Sequence, residues 1–482
     1  MNPKRSRLLP LNRFLLAAAF ALATLGSAQT LAAGWSNPAT LGTSSLYSIY
    51  ANNVSVAVGA TGNGVAVWQE PASGTLKYAV QQGGVWNTAK TFYTASATTT
   101  SNEFLSDPHV VLDSAGTATA LWASNKRTMQ YCVSGGRVVR YVWTSFVKAA
   151  SLAAGATAWT NVSTQGVQVG DAQIGLDQNG NAVALWAYVE KTGAPKSLQS
   201  AAKPAAGMWS PPETLYSSVN PISLLSLAVA ATGAAVAVWQ EKTTDVSNPY
   251  AIRAAYLPVA GSTWSGVEEV FRPAAQLGVL QAAINGNGQA AAAWNNSYAV
   301  QWARRSNGAW AAEALVSTPG RAYSSTGPYA VYAGPDLSAD ALGNFLVGWL
   351  ENDVARVELS VQAQMHRADG GVDSAAWTVG GSSNSPRVTT SPDGSLATVA
   401  WIDDGDANAY AASFTPGQGW GQPLLLSAGA NQYTAAWGTG VALASGPNAS
   451  ASAVWLRVYN TNVGTNVGTN VGIKILASSY WP

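Results

Sequence analysis

The segment Gln173-Ile174-Gly175-Leu176-Asp177-Gln178-Asn179-Gly180-Asn181-Ala182-Val183-Ala184-Leu185-Trp186 decides the fold. A short run, Gln173 to Leu176, leads into an Asp-x-x-Gly turn, and a second run ends on Ala/Val-x-Trp. Asp177 can hydrogen-bond its own backbone two residues on, and Gly180 supplies the positive φ that closes a short hairpin. The same ending recurs at Trp68, Trp122, Trp239, Trp294, Trp349, Trp401 and Trp455. With Trp186 the intervals are 54, 64, 53, 55, 55, 52 and 54 residues. Self-similarity at a period near 50 marks a repeat architecture, so one unit is written eight times.

Neighbouring units fill in the strand pattern. First runs such as Val54-Ser55-Val56-Ala57-Val58 and His109-Val110-Val111-Leu112 precede the turns, and the pairs Asp113/Gly116, Asn285/Gly288 and Asp340/Gly343 repeat the turn chemistry. These acids read as turn residues rather than calcium ligands. A third run often ends in Pro (Pro204, Pro258, Pro416), and a fourth carries a second tryptophan, as in Gly207-Met208-Trp209-Ser210. That second series is Trp35, Trp86, Trp159, Trp209, Trp264, Trp310, Trp377 and Trp420. Four short strands of period-2 patterning per unit is the signature of a propeller blade, with Pro confined to outer edges and strand ends. Sixteen of the 20 tryptophans belong to the two series and read as scaffold packed between blades.

The termini supply an internal test. Ser478 to Pro482 matches the end of a third strand and lacks a fourth, whereas Gly34-Trp35-Ser36-Asn37-Pro38 is a fourth strand without a first. Joining them closes a ring and leaves it no open end. The expected fold is therefore all-β, a single eight-bladed β-propeller of four-stranded blades over residues 34–482, its last blade closed by the N-terminal strand. A seven-bladed ring with one outlying unit is the competing arrangement. Two segments depart from the period: about ten extra residues in the second unit, with the aromatic run Tyr141 to Phe146, and a loop repeating Asn-Val-Gly-Thr around Asn462 to Gly472.

Residues 1–28 read as a secretory signal peptide. Lys4, Arg5, Arg7 and Arg13 precede the apolar run Phe14 to Leu25, and Gly26-Ser27-Ala28 offers small residues for cleavage. The expected location is the periplasm or the exterior, with cell-surface association allowed. No later stretch of 18 apolar residues suggests a membrane span. Cys132 is the single cysteine, so no internal disulfide forms, and a chain this long can hold a core without one. Charge is sparse and balanced, 25 basic against 24 acidic residues, with no basic stripe of the kind nucleic acid demands. Two histidines without ligand spacing give no metal site, no cofactor is implied, and a monomer is expected.

Candidate binding residues fall in two sets. Counting seven back from each turn Gly gives Ser55, His109, Gln173, Ser226, Gln281, Asp336 and Arg387; the eighth unit has no clear turn Gly and gives roughly Ala442. Polar residues there, inside otherwise apolar strands, suggest a ring at the mouth of the central channel. Asp107 and Asp171 stand two positions earlier. Two residues past each motif Trp stand Glu70, Ser124, Tyr188, Glu241, Asn296, Glu351, Asp403 and Arg457, a second set rich in acids. Carboxylates near His109 and Arg387 suit a sugar, a cation or a basic group.

The turn Ser391-Pro392-Asp393-Gly394 before Trp401 resembles the Asp-box (BNR) repeats of sialidase-like propellers. In those repeats the aromatic follows the Gly closely, whereas Trp401 comes seven residues later. Sialidases also use an arginine triad and a tyrosine–glutamate pair. Only Arg387 occupies a comparable first-strand position here, and no Tyr–Glu pair can be assigned. The resulting expectation is a non-catalytic exported propeller that binds a ligand or partner at one channel face, a glycan or cell-surface polymer. The competing expectation is a secreted glycoside hydrolase or sialidase-like enzyme using Asp336 with Glu351 or Asp403, since glycosidases need two positioned carboxyl groups.

Overall fold

The computed structural model describes residues 34–481, except 46–53, 60–61, 71–72, 132–137, 161, 168, 189–195, 259–262, 297–298, 312–313, 318–333, 353–358, 380–385, 404–405, 407, 428–439 and 461–470. The expected leader at 1–28, Cys132 and most of the Asn-Val-Gly-Thr loop lie outside the described residues. Alternating short strands form eight separate antiparallel sheets, seven of them ordered across the sheet as in the sequence. In blade 1 these are Val54–Val58, Gly64–Glu70, Thr75–Gln82, then Val85–Trp86 and Lys90–Thr94 as one interrupted outer strand. Innermost strands pack side by side round the ring, and Val54–Val58 meets Val441–Gly446 to complete it. Among the described residues there is no helix, and so none long and apolar enough to cross a membrane.

Blade 8 is assembled from both ends of the chain, as the orphan strand predicts. Val471–Trp481 pairs with Gly34–Trp35 (Trp35 opposite Tyr480) and with Ala39–Ser45. Ser36 fastens the join: its N–H donates to Ser479 O at 2.8 Å, and Ser478 Oγ donates to Ser36 O at 2.6 Å.

Tryptophans of the first series are buried, and Trp122, Trp186, Trp239 and Trp294 have no exposed surface. Each lies against the preceding blade: Trp294 of blade 5 packs on Val236, Val238 and Ile252 of blade 4, and Trp401 of blade 7 on Leu346, Leu350 and Val361 of blade 6. Second-series tryptophans are half-buried on the outer strands and stack around the first, as Trp377 does on Trp401 at 5.5 Å. The rings therefore fill wedge-shaped gaps between twisted sheets, where a large flat side chain gives the most buried apolar area per residue.

The Asp-x-x-Gly turns use their acids on their own backbone. Asp177 Oδ1 accepts the N–H groups of Asn179 and Asn181, and Asp340 Oδ1 those of Leu342 and Asn344. Gly180 and Gly343 take φ of 83° and 102°. These turns also join blades: Gln178 N–H donates to Ala231 O, Gly286 N–H to Asp340 O and Ala341 N–H to Pro392 O, at 3.0 to 3.1 Å. That end of the channel is committed to structure. Blade 2 differs from the others. Its strands Ser101–Leu112, Ala118–Tyr131 and Val138–Leu152 run to 12, 14 and 15 residues and rise beyond the opposite end as a flap.

Candidate functional site

Strand pairing places the first polar set at one level of the ring. Ser55, His109, Gln173, Ser226, Gln281, Asp336, Arg387 and Ala442 pair with Val67, Leu121, Leu185, Val238, Ala293, Gly348, Ala400 and Val454. In all eight blades the partner is the residue immediately before the motif Trp. The level lies four residues before the turn in each blade, at or next to the start of the innermost strand in blades 1, 5, 6, 7 and 8 and well inside the longer first strands of blades 2, 3 and 4.

Most of these side chains have a structural task. An innermost strand has one edge with no strand beside it in its own sheet, and its N–H groups there need acceptors. Ser55 Oγ accepts Val110 N–H at 3.1 Å, Gln173 Oε1 accepts Leu227 N–H at 2.7 Å, Ser226 Oγ accepts Ala282 N–H at 3.0 Å and Asp336 Oδ2 accepts Val388 N–H at 2.8 Å. In these four cases a ring residue of one blade holds the N–H just past the ring residue of the next. Gln173 Nε2 also donates to Leu225 O at 2.8 Å, and Gln281 Oε1 lies 3.5 Å from Ser226 Oγ. One layer further in, Ser338 Oγ accepts Thr390 N–H at 3.0 Å in the same way.

His109 and Arg387 do not take part. Among the described residues neither His109 nitrogen and no guanidinium nitrogen of Arg387 has a hydrogen-bond partner, and the Arg387 side chain is 48 % exposed. Its nearest charge is Asp336 Oδ1 at 3.8 Å, beyond hydrogen-bond length. The two residues stand on blades 2 and 7, yet their charges interact. Burial holds the His109 pKa below its usual value; the Asp107 carboxylate pulls it up, and the Arg387 guanidinium pushes it further down. The imidazole is thus neutral near pH 7, one nitrogen a donor and the other an acceptor. Asp336 is shifted the opposite way, raised by burial against the pull of Arg387 and of the Val388 N–H. Asp107 is exposed and sits in a bulge, where pairing slips between Ser106 and His109, with φ of 49°. Blades 3 and 4 slip at the equivalent place, next to Asp171 and Leu224.

The second set lies elsewhere. Two residues past the motif Trp is the same strand face as the Trp, and that face turns to the preceding blade. Glu241 is buried there, accepting from Tyr216 Oη at 3.1 Å and from Ser218 Oγ of blade 3's side, and pairing with Arg253 at 3.1 Å. Glu70 pairs with Lys77 at 2.9 Å and accepts from Ser73 Oγ at 2.6 Å. Glu351 Oε1 accepts the indole N–H of Trp349 at 3.2 Å. Asp403 joins burial and Asp406 in lifting the Tyr410 pKa to about 12. Asp336 and Glu351 point from opposite faces of one sheet. Asp403 shares the gap between blades 6 and 7 with Asp336, but lies three residues along the strand from the Arg387 partner Ala400, about 10 Å. The structure thus brings together His109, Asp336 and Arg387, with Asp107 beside them; Gln173 and Gln281 sit at the same level as blade-to-blade contacts.

Sequence reasoning missed one carboxylate altogether. Glu103, on the extended first strand of blade 2, gathers Lys148 Nζ at 2.6 Å, Ser124 Oγ at 2.5 Å, Tyr93 Oη at 2.8 Å and Ser96 N–H at 2.8 Å. It fastens the outer strand of blade 1 to blade 2. Lys148 faces Trp122 across the sheet as Arg253 faces Trp239 and Lys77 faces Trp68. That recurring cation was the available signal. Among the described residues no group of three His, Cys, Asp or Glu side chains is arranged to hold a metal ion.

Neither a family model nor a curated protein matches the chain. Solved structures similar to it include an ulvan lyase from a new polysaccharide lyase family, at 10% identity over 78% of this chain and 94% of that one, with a TM-score of 0.44. A Hadza microbial sialidase matches at 14% identity over 70% and 73%, TM-score 0.38. The Aleuria aurantia lectin in complex with Fucα1-6GlcNAc matches at 14% identity over 68% and 96%, TM-score 0.35. At these identities the likeness is one of fold and says nothing of ligand.

Proposed function

We propose that this is an exported β-propeller that binds a carbohydrate or cell-surface polymer at the channel rim formed by His109, Asp336 and Arg387. One observation carries the reading: in a ring where Ser55, Gln173, Ser226 and Asp336 spend their polar atoms on the next blade, His109 and Arg387 spend none. An arginine fork with unused donors can hold two vicinal hydroxyls or a carboxylate at once. A neutral imidazole adds one donor and one acceptor, and Asp336 Oδ1 adds a third polar atom at the same level. Convergent polar groups in a preformed concavity are what a binding site requires. The test is a glycan array with the full mature chain, followed by Arg387→Gln and His109→Ala on the glycans retained. Arg387→Gln is expected to weaken binding about ten- to hundredfold, the scale of a charge-assisted hydrogen-bond pair. Full affinity in both variants would place the ligand elsewhere. Hydrolysis of a retained glycan, lost in Asp336→Asn, would replace this reading by a glycoside-active one.

A further inference from the structure

The blade 2 flap has a face unlike any other among the described residues. Register puts Asn102, Arg127 and Trp143 in one row across its three strands, Phe104, Asn125 and Ser145 in the next, and Tyr141 opposite Met129. Side chains two apart on a strand share a face, so Phe104, Arg127, Tyr141 and Trp143 lie together. Phe104 is 45 %, Tyr141 46 % and Trp143 54 % exposed. Among the tryptophans whose side chains are described, Trp143 alone is exposed; the repeat tryptophans fill gaps between blades. The Arg127 guanidinium stands over all three rings, 4.8 Å from the Tyr141 centroid, 5.7 Å from Phe104 and 6.0 Å from Trp143, and the Phe104 and Trp143 rings are 5.6 Å apart.

Two further observations say what covers this face. It is continuous with the rim: His109 pairs with Leu121 on the same sheet face as Asn125 and Arg127, and Phe104 lies about 15 Å along the strand from His109. The face also carries a cation without an acidic partner among the described residues, Arg127, in a charge-poor chain. Residues 114–170 hold no Asp or Glu, and Glu103 of the neighbouring strand is taken up by Lys148, which leaves Arg127 beside the three rings without a counter-charge. Flat aromatic faces fit the C–H faces of pyranose rings, and the unpaired Arg127 guanidinium fits a carboxylate or sulfate. A membrane surface would also meet aromatic and basic groups. Here, however, the rings lie along the face of the sheet with a guanidinium over them, and that charge would have to be desolvated in lipid.

The geometry points to an acidic polysaccharide as the ligand, lying across the flap on Phe104, Tyr141 and Trp143 with its acidic groups at Arg127 and its end or a branch at the His109–Arg387 rim. The inference rests on the rim reading for its second contact only. The experiment uses the full chain with four probes: polygalacturonate, digalacturonate, neutral dextran and vesicles of anionic phospholipid. Polygalacturonate is expected to bind and dextran not. Trp143→Ala combined with Tyr141→Ala should weaken polygalacturonate binding about tenfold, the scale of two lost aromatic contacts. Digalacturonate, which reaches the rim alone, should be unaffected by that pair and lost in Arg387→Gln. Because both aromatics are exposed, the melting temperature should hold, and Trp143→Phe should restore most of the affinity. Polygalacturonate binding unchanged in the double variant overturns the platform while leaving the rim reading to its own result. Digalacturonate binding unchanged in Arg387→Gln, with polymer binding still weakened by the flap variant, overturns the rim reading and leaves the platform standing. Binding to vesicles alone, or to dextran as tightly as to polygalacturonate, overturns the assignment of an acidic glycan.

Discussion

Replacing Glu103 by Gln tests whether blades are held together by polar clasps as well as by tryptophan packing. The Glu103 side chain is 3 % exposed and that of Lys148 16 %. Burial pushes the Glu103 pKa up, but donors from Lys148, Ser124, Ser96 and Tyr93 overcome this and bring it from 4.5 to about 2. That difference corresponds to about 3 kcal/mol of folding free energy at roughly 1.4 kcal/mol per pH unit. The folded pKa lies below the unfolded one, so the contribution is complete above pH 4.5 and is lost as pH falls through about 2. Gln retains the shape but not the chemistry. Every group around Glu103 donates, and the Gln amide nitrogen cannot accept. Solvent at the Lys148 side lowers the expected cost to about 2–3 kcal/mol.

For a chain of roughly 450 folded residues the unfolding entropy is about 0.9 kcal/mol/K, so the melting temperature of Glu103→Gln should fall by about 2–3 °C at pH 7. Scanning calorimetry of both proteins across pH gives the decisive comparison. The gap should shrink below pH 4.5 and reach about a quarter of its neutral value at pH 2.5, because wild type loses what the variant never had. A gap below about 0.5 °C at pH 7 on the same entropy scale, or one equally large at pH 7 and pH 2.5, would refute the clasp.

Two other measurements examine the ring itself. Ser226→Ala leaves the Ala282 N–H buried without its acceptor and should cost about 1–3 kcal/mol, a fall of roughly 1–3 °C; an unchanged melt would mean that the ring contacts do not hold blades together. The two imidazoles can be followed by NMR against pH. His366, lowered by burial and by Arg304, should titrate at about 4, and His109 below its usual value. Arg387→Gln removes a charge that depresses His109 and should raise its titration point while leaving His366 still; an unmoved His109 would show that blades 2 and 7 do not converge at the channel.

Much of the architecture was legible because the signals were local. Period-2 runs and Asp-x-x-Gly turns each act within one blade, and counting from the turn Gly landed on one register in the seven innermost strands that have one. What those ring residues do was not legible. Whether Gln173 serves a ligand or the Leu227 N–H depends on how closely two blades approach, a distance no single repeat encodes. The acids two past the motif Trp are a different case. In-strand parity already puts Glu241 and Glu351 on the Trp face, and that face packs on the preceding blade, so the period itself contained the answer. Glu103 and the flap were hidden because their partners, Tyr93 and Lys148 in one case and Phe104 with Trp143 in the other, meet only once three strands are in register.

A propeller imposes a particular way of finding function in its channel. Each innermost strand brings an edge of backbone N–H groups to the axis, so polar residues there are expected on structural grounds alone, and their number says little about a ligand. The informative residues are those of the right level that leave the neighbouring edge unserved. His109 and Arg387 meet that condition, and they also carry the departures from the repeat: His109 follows the Asp107 bulge at the root of the flap, and Arg387 faces the Asp336 carboxyl, which is already engaged by the Val388 N–H, at a distance too long for a hydrogen bond. Duplication of one blade copies clasps and tryptophans. A ligand lying on the channel axis without eightfold symmetry finds a distinctive contact where the copies differ, and on this ring His109 and Arg387 place those differences on blades 2 and 7.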